Sequence, residues 1–186
     1  MATLPPFPSL LQVGVVAKRL DTSQAAAVAT FCRQCTAFFT LVAGESPTDD
    51  TARHLLASRP PSVPLARKHV IGFERGSTLI AIVDLLEGYP DEGDWYVGLL
   101  LLSPEERARG LGTTVWTAVE TWIRAEGGRC AKLMVQEQNP DAVLFWRAAG
   151  FTTNGTVAQH LPAQTNTCWC LEKLLIEPSP CHAVTQ

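Results

Sequence analysis

Residues 99–114 read LLLLSPEERARGLGTT, an apolar strand end that turns through Ser103-Pro104 and two glycines into a helix. The first N–H groups of such a helix have no intrahelical acceptor, and its dipole makes that end partly positive. Gly110 and Gly112 carry no side chain, so an anion can approach the main chain closely. Arg107 and Arg109 add charge beside them. The guest that suits this turn is a phosphate or pyrophosphate. A nucleoside-triphosphate loop needs Gly, four residues, then Gly-Lys-Ser or Gly-Lys-Thr, and the chain has none. A dinucleotide fingerprint needs a third glycine where Val115 stands, and an acid about 20 residues on at a strand end. Neither is cleanly supplied, so both readings fall.

The elements around this stretch give the fold. Residues 95–102 form the most apolar strand in the chain, which predicts burial on both faces at the centre of a sheet. Residues 113–126 read as a helix in which Val115, Ala118, Val119, Trp122 and Ile123 share one face, ended by Gly127-Gly128. Upstream, a strand is predicted over 13–20, a helix over 24–41 and a short helix over 51–58. The run Arg59-Pro60-Pro61-Ser62-Val63-Pro64 stops the last of these. Strands over 68–74 and 77–86 join at Arg75-Gly76 as a hairpin. Downstream come a strand over 130–136, a helix from Asn139 to its stop at Gly150, and a final hairpin from 156–160 and 167–174. The order strand, helices, three strands, helix, strand, helix, strands predicts one α/β (α+β) domain, a mixed sheet flanked by helices.

Two blocks in that order carry a resemblance. Arg107-Ala108-Arg109-Gly110-Leu111-Gly112 is an R-x-x-G-x-G after a Ser-Pro strand exit. One helix and one strand later stands Asn139-Pro140-Asp141-Ala142-Val143-Leu144-Phe145-Trp146-Arg147-Ala148-Ala149-Gly150-Phe151, an Asn, an Ala, an aromatic pair and Gly-Phe. The chain here resembles the GNAT superfamily of acyl-CoA N-acyltransferases, clearly over 95–151 and in outline over 13–175. The resemblance implies a single domain with a mostly antiparallel central sheet. It also implies that acetyl-CoA is the co-substrate and that its acetyl group passes directly to an amine. By the same resemblance, the main chain of Leu100, Leu101 and Leu102 would lie beside the pantetheine arm, with an N–H there polarising the thioester carbonyl. Arg107, Ala108, Arg109, Gly110, Leu111, Gly112 and Thr113 would wrap the pyrophosphate. Asn139 would hold the pantetheine, with Phe145 and Trp146 beside it. A homodimer is a further expectation, because dimers are frequent in the family.

The sequence departs from the family pattern in two places. Many members carry a tyrosine at the second aromatic of the later block, where it protonates the departing thiolate. Here that residue is Trp146, whose indole N–H is far too weak an acid, so its expected role is a wall. Some relatives carry a glutamate on the strand before the asparagine, where this chain has Met134. Asp84, alone in the apolar run IAIVDLLEGYP, is the foremost general-base candidate, since burial would raise its pKa towards that of a useful base. An ion pair with a lysine or arginine, or a solvent-facing position, reads it equally well. Tyr96 and Glu137 are further candidates, and Asn139 followed by proline is also a good helix cap in its own right.

Composition sets the outer bounds. The chain has 186 residues, 46% of them apolar and 18% charged, enough for one sizeable core without disulfide or metal. A net charge of −3 gives no basic footprint for nucleic acid. No apolar run reaches the roughly 18 residues of a membrane span, and the N-terminus lacks the pattern of a secretory signal, which predicts a cytoplasmic protein. Of six cysteines, Cys32 and Cys35 lie inside a helical stretch, Cys168 and Cys170 two apart, Cys130 alone and Cys181 in a polar tail. With no histidine near either pair, buried reduced thiols are expected and a metal is not. The four histidines (54, 69, 160 and 182) flank no nucleophile. Residues 1–12 read as a flexible extension, 13–175 as the domain and 176–186 as a tail. The function expected is acetyl transfer to a primary amine of a small molecule or protein. Its alternative is a non-catalytic acyl-CoA-binding module of the same fold.

Overall fold

Gly76, at φ +63°, turns the chain between β2 (Lys68–Arg75) and β3 (Thr78–Glu87), the tight hairpin expected from Arg75-Gly76. The computed structural model describes Leu4 and residues 7–176. Around this hairpin stand β1 (Val16–Arg19), β4 (Asp94–Leu102), β5 (Cys130–Gln136), β6 (Thr152–His160) and β7 (Thr165–Leu174). They make one seven-stranded sheet in the order β1-β2-β3-β4-β5-β7-β6. Every pairing is antiparallel except β4 with β5, which run parallel because the helix α5 (Leu111–Ala125) carries the chain back between them. This is the mixed sheet that the element order predicts, mostly antiparallel as the resemblance implies.

Helices cover both faces. All five residues expected on the core side of α5 are buried, together with Leu111 and Trp116. They pack on the face of the sheet that presents Ile71, Phe73, Val83, Leu85, Trp95 and Val97. The other face, with Val70, Ile82 and Leu101, receives α2 (Ala25–Gln34) and α4 (Asp49–Ala57). Each large side chain so buried contributes about 1.5–3 kcal/mol, which makes these two layers the main source of stability. His69 belongs to the α5 layer and not to any site. Its ring stacks on Trp95 at 5.2 Å, and its nitrogens lie 3.0 Å from Arg19 Nη1 and 3.0 Å from Glu87 Oε2. Arg19 can only donate, so Nδ1 accepts and Nε2–H points at Glu87. Burial pushes the pKa of this ring down, so it is held neutral.

Three expectations need correction. Residues 1–12 are not all an extension: α1 (Pro8–Leu11) docks Phe7 and Leu10 into the α5 layer, Leu10 being fully buried and Phe7 edge-on to Trp122. The helix over 24–41 is two helices, α2 and α3 (Thr36–Ala43), and the chain bends by 81° between them. No glycine or proline marks that bend. It is set by tertiary packing: Cys35 is buried at the break and its thiol donates to the Leu102 carbonyl at 3.5 Å. The strand over 95–102 is central but not buried on both faces, since Gly98 is exposed and Leu99 and Leu100 are half-buried. Elsewhere α6 (Pro140–Ala148) and the last hairpin form as expected, with β6 starting earlier, at Thr152.

Among the described residues five cysteines are free thiols, four of them buried, and no group of side chains could hold a metal. Burial pushes the Cys32 thiol up to about 11 and also raises Cys35, so neither is a reactive thiolate. Cys181 and His182 lie outside the described residues. Leu175 is the last buried residue and Ile176 is exposed.

Candidate active site

The exposed middle of β4 follows from a bulge. Leu85 pairs with Val97 and Asp84 with Leu99, which leaves Gly98 as an extra residue on β4. On the other side the parallel pairing with β5 ends at Val97 and Leu133. Beyond that point the two strands part, and a cavity of about 720 Å³ opens between them. Residues 98–101 of β4 have no strand to pair with on the side that faces it. The opening passes through the sheet: Leu100 and Phe145 line it from the α5 layer, Leu99 and Phe38 from the layer of α2 and α4.

At the α5 end lies the two-glycine turn. Gly110 is the N-cap residue of α5 at φ +81°, with no side chain to bond the N–H groups of Leu111, Gly112 and Thr113. Ala108 also adopts a left-handed backbone, φ +57°, uncommon for a residue with a side chain. Gly112 packs closest: a Cβ there would sit 3.3 Å from the Phe145 ring, while one at Gly110 would meet nothing within 4 Å. Arg107 donates from Nε to the Leu102 carbonyl at 3.1 Å, which ties the turn to the end of β4.

Eleven of the thirteen residues expected around a coenzyme line this one cavity: Leu100, Leu101, Leu102, Arg107, Ala108, Gly110, Gly112, Thr113, Asn139, Phe145 and Trp146. Arg109 is exposed outside the lining, and the Leu111 side chain turns into the core. Asn139 caps α6, its Oδ1 accepting from the Ala142 N–H at 3.4 Å, and its side-chain NH2 has no partner among the described residues. Trp146 is a wall. It is buried and meets Trp116, Phe145 and Phe151 edge-on or tilted at ring distances of 5.0 Å.

The three base candidates are placed apart. Asp84 lies on the α2–α4 face in a nearly buried ion pair, Lys68 Nζ standing 2.7 and 2.9 Å from its two oxygens. Burial raises the pKa of the Asp84 carboxyl, and Lys68 pulls it part of the way back. Its carboxylate packs over Gly98, where a Cβ would come within 3.1 Å of Oδ2. Tyr96 lies further along β4, on the wall of an adjoining cleft and outside the lining of the first cavity, and burial pushes its phenol upward, away from the range of a useful base. Glu137 follows the end of β5, exposed and outside the lining, its N–H donating to the Thr167 carbonyl. His160 bonds Thr165 on the last hairpin and does not line the cavity. Phe38, Gly98 and Lys68 are the site residues that sequence reasoning missed. Gly98, a lone glycine inside an apolar strand, is a known signal of a bulge.

The fold that holds this cavity is shared with acetyltransferases of known structure. The chain is similar to an acetyltransferase from Thermus thermophilus at 21% identity and TM-score 0.70, covering 86% of this chain and 96% of that one. It is similar to the ribosomal-protein-S18-alanine N-acetyltransferase from Escherichia coli (11%, TM-score 0.66, 90% and 97% covered). It also resembles spermidine N-acetyltransferase from Vibrio cholerae, solved with CoA and spermine (14%, TM-score 0.66, 88% and 96%). No curated protein sequence is significantly similar to it. The acetyltransferase (GNAT) family model matches residues 33–151. The chain belongs to that family, whose members use acetyl-CoA as co-substrate. Among the described residues no single helix is long and apolar enough to cross a membrane.

Proposed function

We propose that the protein transfers the acetyl group of acetyl-CoA directly to a primary amine. The observation that carries this reading is the cavity where β4 leaves β5, lined at one end by unpaired main chain and at the other by the uncapped start of α5. The N–H groups of residues 111–113, with Arg107, bind the pyrophosphate. The pantetheine runs between the parted strands, and an N–H of residues 100–102 bonds the thioester oxygen as it gains charge, which lowers the barrier by about 3 kcal/mol.

The amine approaches from the α2–α4 face, past Phe38 and Gly98. Asp84 takes the proton of the ammonium form. Its raised pKa suits that task, and its carboxylate packs over Gly98, which lines the cavity, while Asp84 itself stands just behind that lining. The freed nitrogen lone pair forms the N–C bond, the C–S bond breaks, and the second proton of the nitrogen is lost to the leaving thiolate or to water. Trp146 takes no part in that transfer, because an indole does not give up its proton.

The test is thiol release from acetyl-CoA in the presence of a mixed panel of primary amines. The expected result is release that requires both the amine and the protein. Stabilisation by CoA without release for any amine would favour the alternative, a binding module that senses acyl-CoA. A departure from the family pattern at Trp146 and Met134 is the observation behind that alternative.

A further inference from the structure

A second cleft, of about 430 Å³, adjoins the first, and Leu133 and Met134 wall both. Strand alternation fixes its side of the sheet. Trp95 and Val97, Leu133 and Val135, and Leu171 belong to the α5 layer. Tyr96, Met134 and Cys170 alternate with them and line the cleft, so it opens on the opposite face, where Asp84 lies. Met134 stands opposite Cys170 in the β5–β7 ladder, and Lys132 opposite Glu172. The cleft therefore begins where the strands part and runs away from the glycine turn.

Its walls are largely apolar. Leu86, Pro90 and Met134 join Tyr89 and Tyr96, whose rings meet edge to face at 5.6 Å and 80°. Two charged side chains touch it. Lys132 is neutralised by Asp94, 2.6 Å away. Glu172 makes no ion pair among the described residues. The cleft thus offers apolar and aromatic surface, one carboxylate and no unpaired cation.

We infer that this cleft selects the acceptor: a primary amine that carries an aromatic or equally bulky apolar group and no carboxylate. The inference rests on the acetyl-transfer reading and adds the substrate class. With its nitrogen over Gly98, such an amine lays its body across Met134 and Tyr96 towards Tyr89. A polyamine would bring several charges to walls that can balance one. An amino acid carries its carboxylate on the same carbon as the nitrogen, which would set it against the Asp84 carboxylate over Gly98. The one cation there, Lys68, is already engaged, and burying an unpaired charge is costly.

Steady-state rates with saturating acetyl-CoA and 2-phenylethylamine, spermidine or phenylalanine test this. The expected kcat/KM for 2-phenylethylamine exceeds both others at least tenfold. Tyr89→Ser is expected to raise KM for 2-phenylethylamine about tenfold and to leave propylamine within twofold, a split that a general loss of structure would not give. Cys170→Trp fills the cleft and is expected to weaken calorimetric binding of 2-phenylethylamine to CoA-saturated protein at least tenfold, with the CoA-induced thermal shift unchanged. Preference for spermidine or for a peptide N-terminus, or binding unmoved by Cys170→Trp, overturns the substrate class and leaves acetyl transfer standing. Binding in the cleft without acetylation of any amine counts against transfer and supports the cleft.

Discussion

Gly112→Val is expected to leave a folded protein that coenzyme A no longer stabilises. CoA at 100 times its dissociation constant adds about 2.7 kcal/mol to a protein that binds it, a rise of roughly 5–11 °C in Tm for a chain of this size. In the variant the expected rise is below about 1 °C. The reason is local. A Cβ at position 112 already reaches 3.3 Å from the Phe145 ring, and the two further methyl groups must enter the cavity or displace that ring. Either movement takes the space in which a pyrophosphate would meet the N–H groups at the start of α5. Position 110 behaves differently. A Cβ there meets nothing within 4 Å, but φ is +81°, so Gly110→Ala is expected to cost about 1–2 kcal/mol of stability with less effect on binding. A Gly112→Val protein that keeps its full shift would place the coenzyme elsewhere.

Lys68→Met is expected to cost about 3–5 kcal/mol, because it leaves the Asp84 carboxylate without its partner in a nearly dry setting. For a domain of this size that is a fall in Tm of roughly 6–20 °C. Burial already holds the Asp84 pKa above its unfolded value, and removing Lys68 raises it further. A group whose folded pKa is raised binds its proton more tightly in the native state, so its effect on stability worsens as pH climbs from about 4 through the folded pKa. The deficit of Lys68→Met relative to wild type is therefore expected to shrink on acidification, which melting curves across pH would show. The double variant Lys68→Met, Asp84→Leu has an apolar pair in the same space and is expected to recover wild-type stability or better. Its turnover is expected to fall about 10²–10⁴-fold, the range for losing a general base. Recovery of both stability and turnover would make the pair purely structural.

What the sequence made legible follows the range of the interactions. The glycine turn, the amphipathic face of α5 and the Asn139 cap depend on neighbours within a few positions, and those signals are strong in a single chain. The bend at Cys35 depends on a carbonyl 67 residues away, and no local breaker announces it. The docking of Phe7 and Leu10 hides in a proline-rich stretch that reads as a flexible extension, since only the tertiary groove beside Trp122 gives those side chains a place. Asp84 was legible as an acid in an apolar strand. Its partner was not, because Lys68 reaches it through a register that sets Val70 opposite Asp84. Glu137 was drawn in by its nearness to Asn139 in sequence, yet it follows a strand whose alternation turns it outward. The second cleft assembles Tyr89, Met134 and Cys170 from a loop and two strands, and nothing in the linear order brings all three together.

The central claim is that main-chain amides at the start of α5 and along the open part of β4 hold the coenzyme. Titrating 15N-labelled protein with CoA and following the amide resonances tests it directly. The account predicts that the largest shifts fall on Leu111, Gly112 and Thr113, with a second group at residues 98–101. Shifts centred on the Arg19, His69 and Glu87 side of the sheet, with residues 111–113 unmoved, would contradict it.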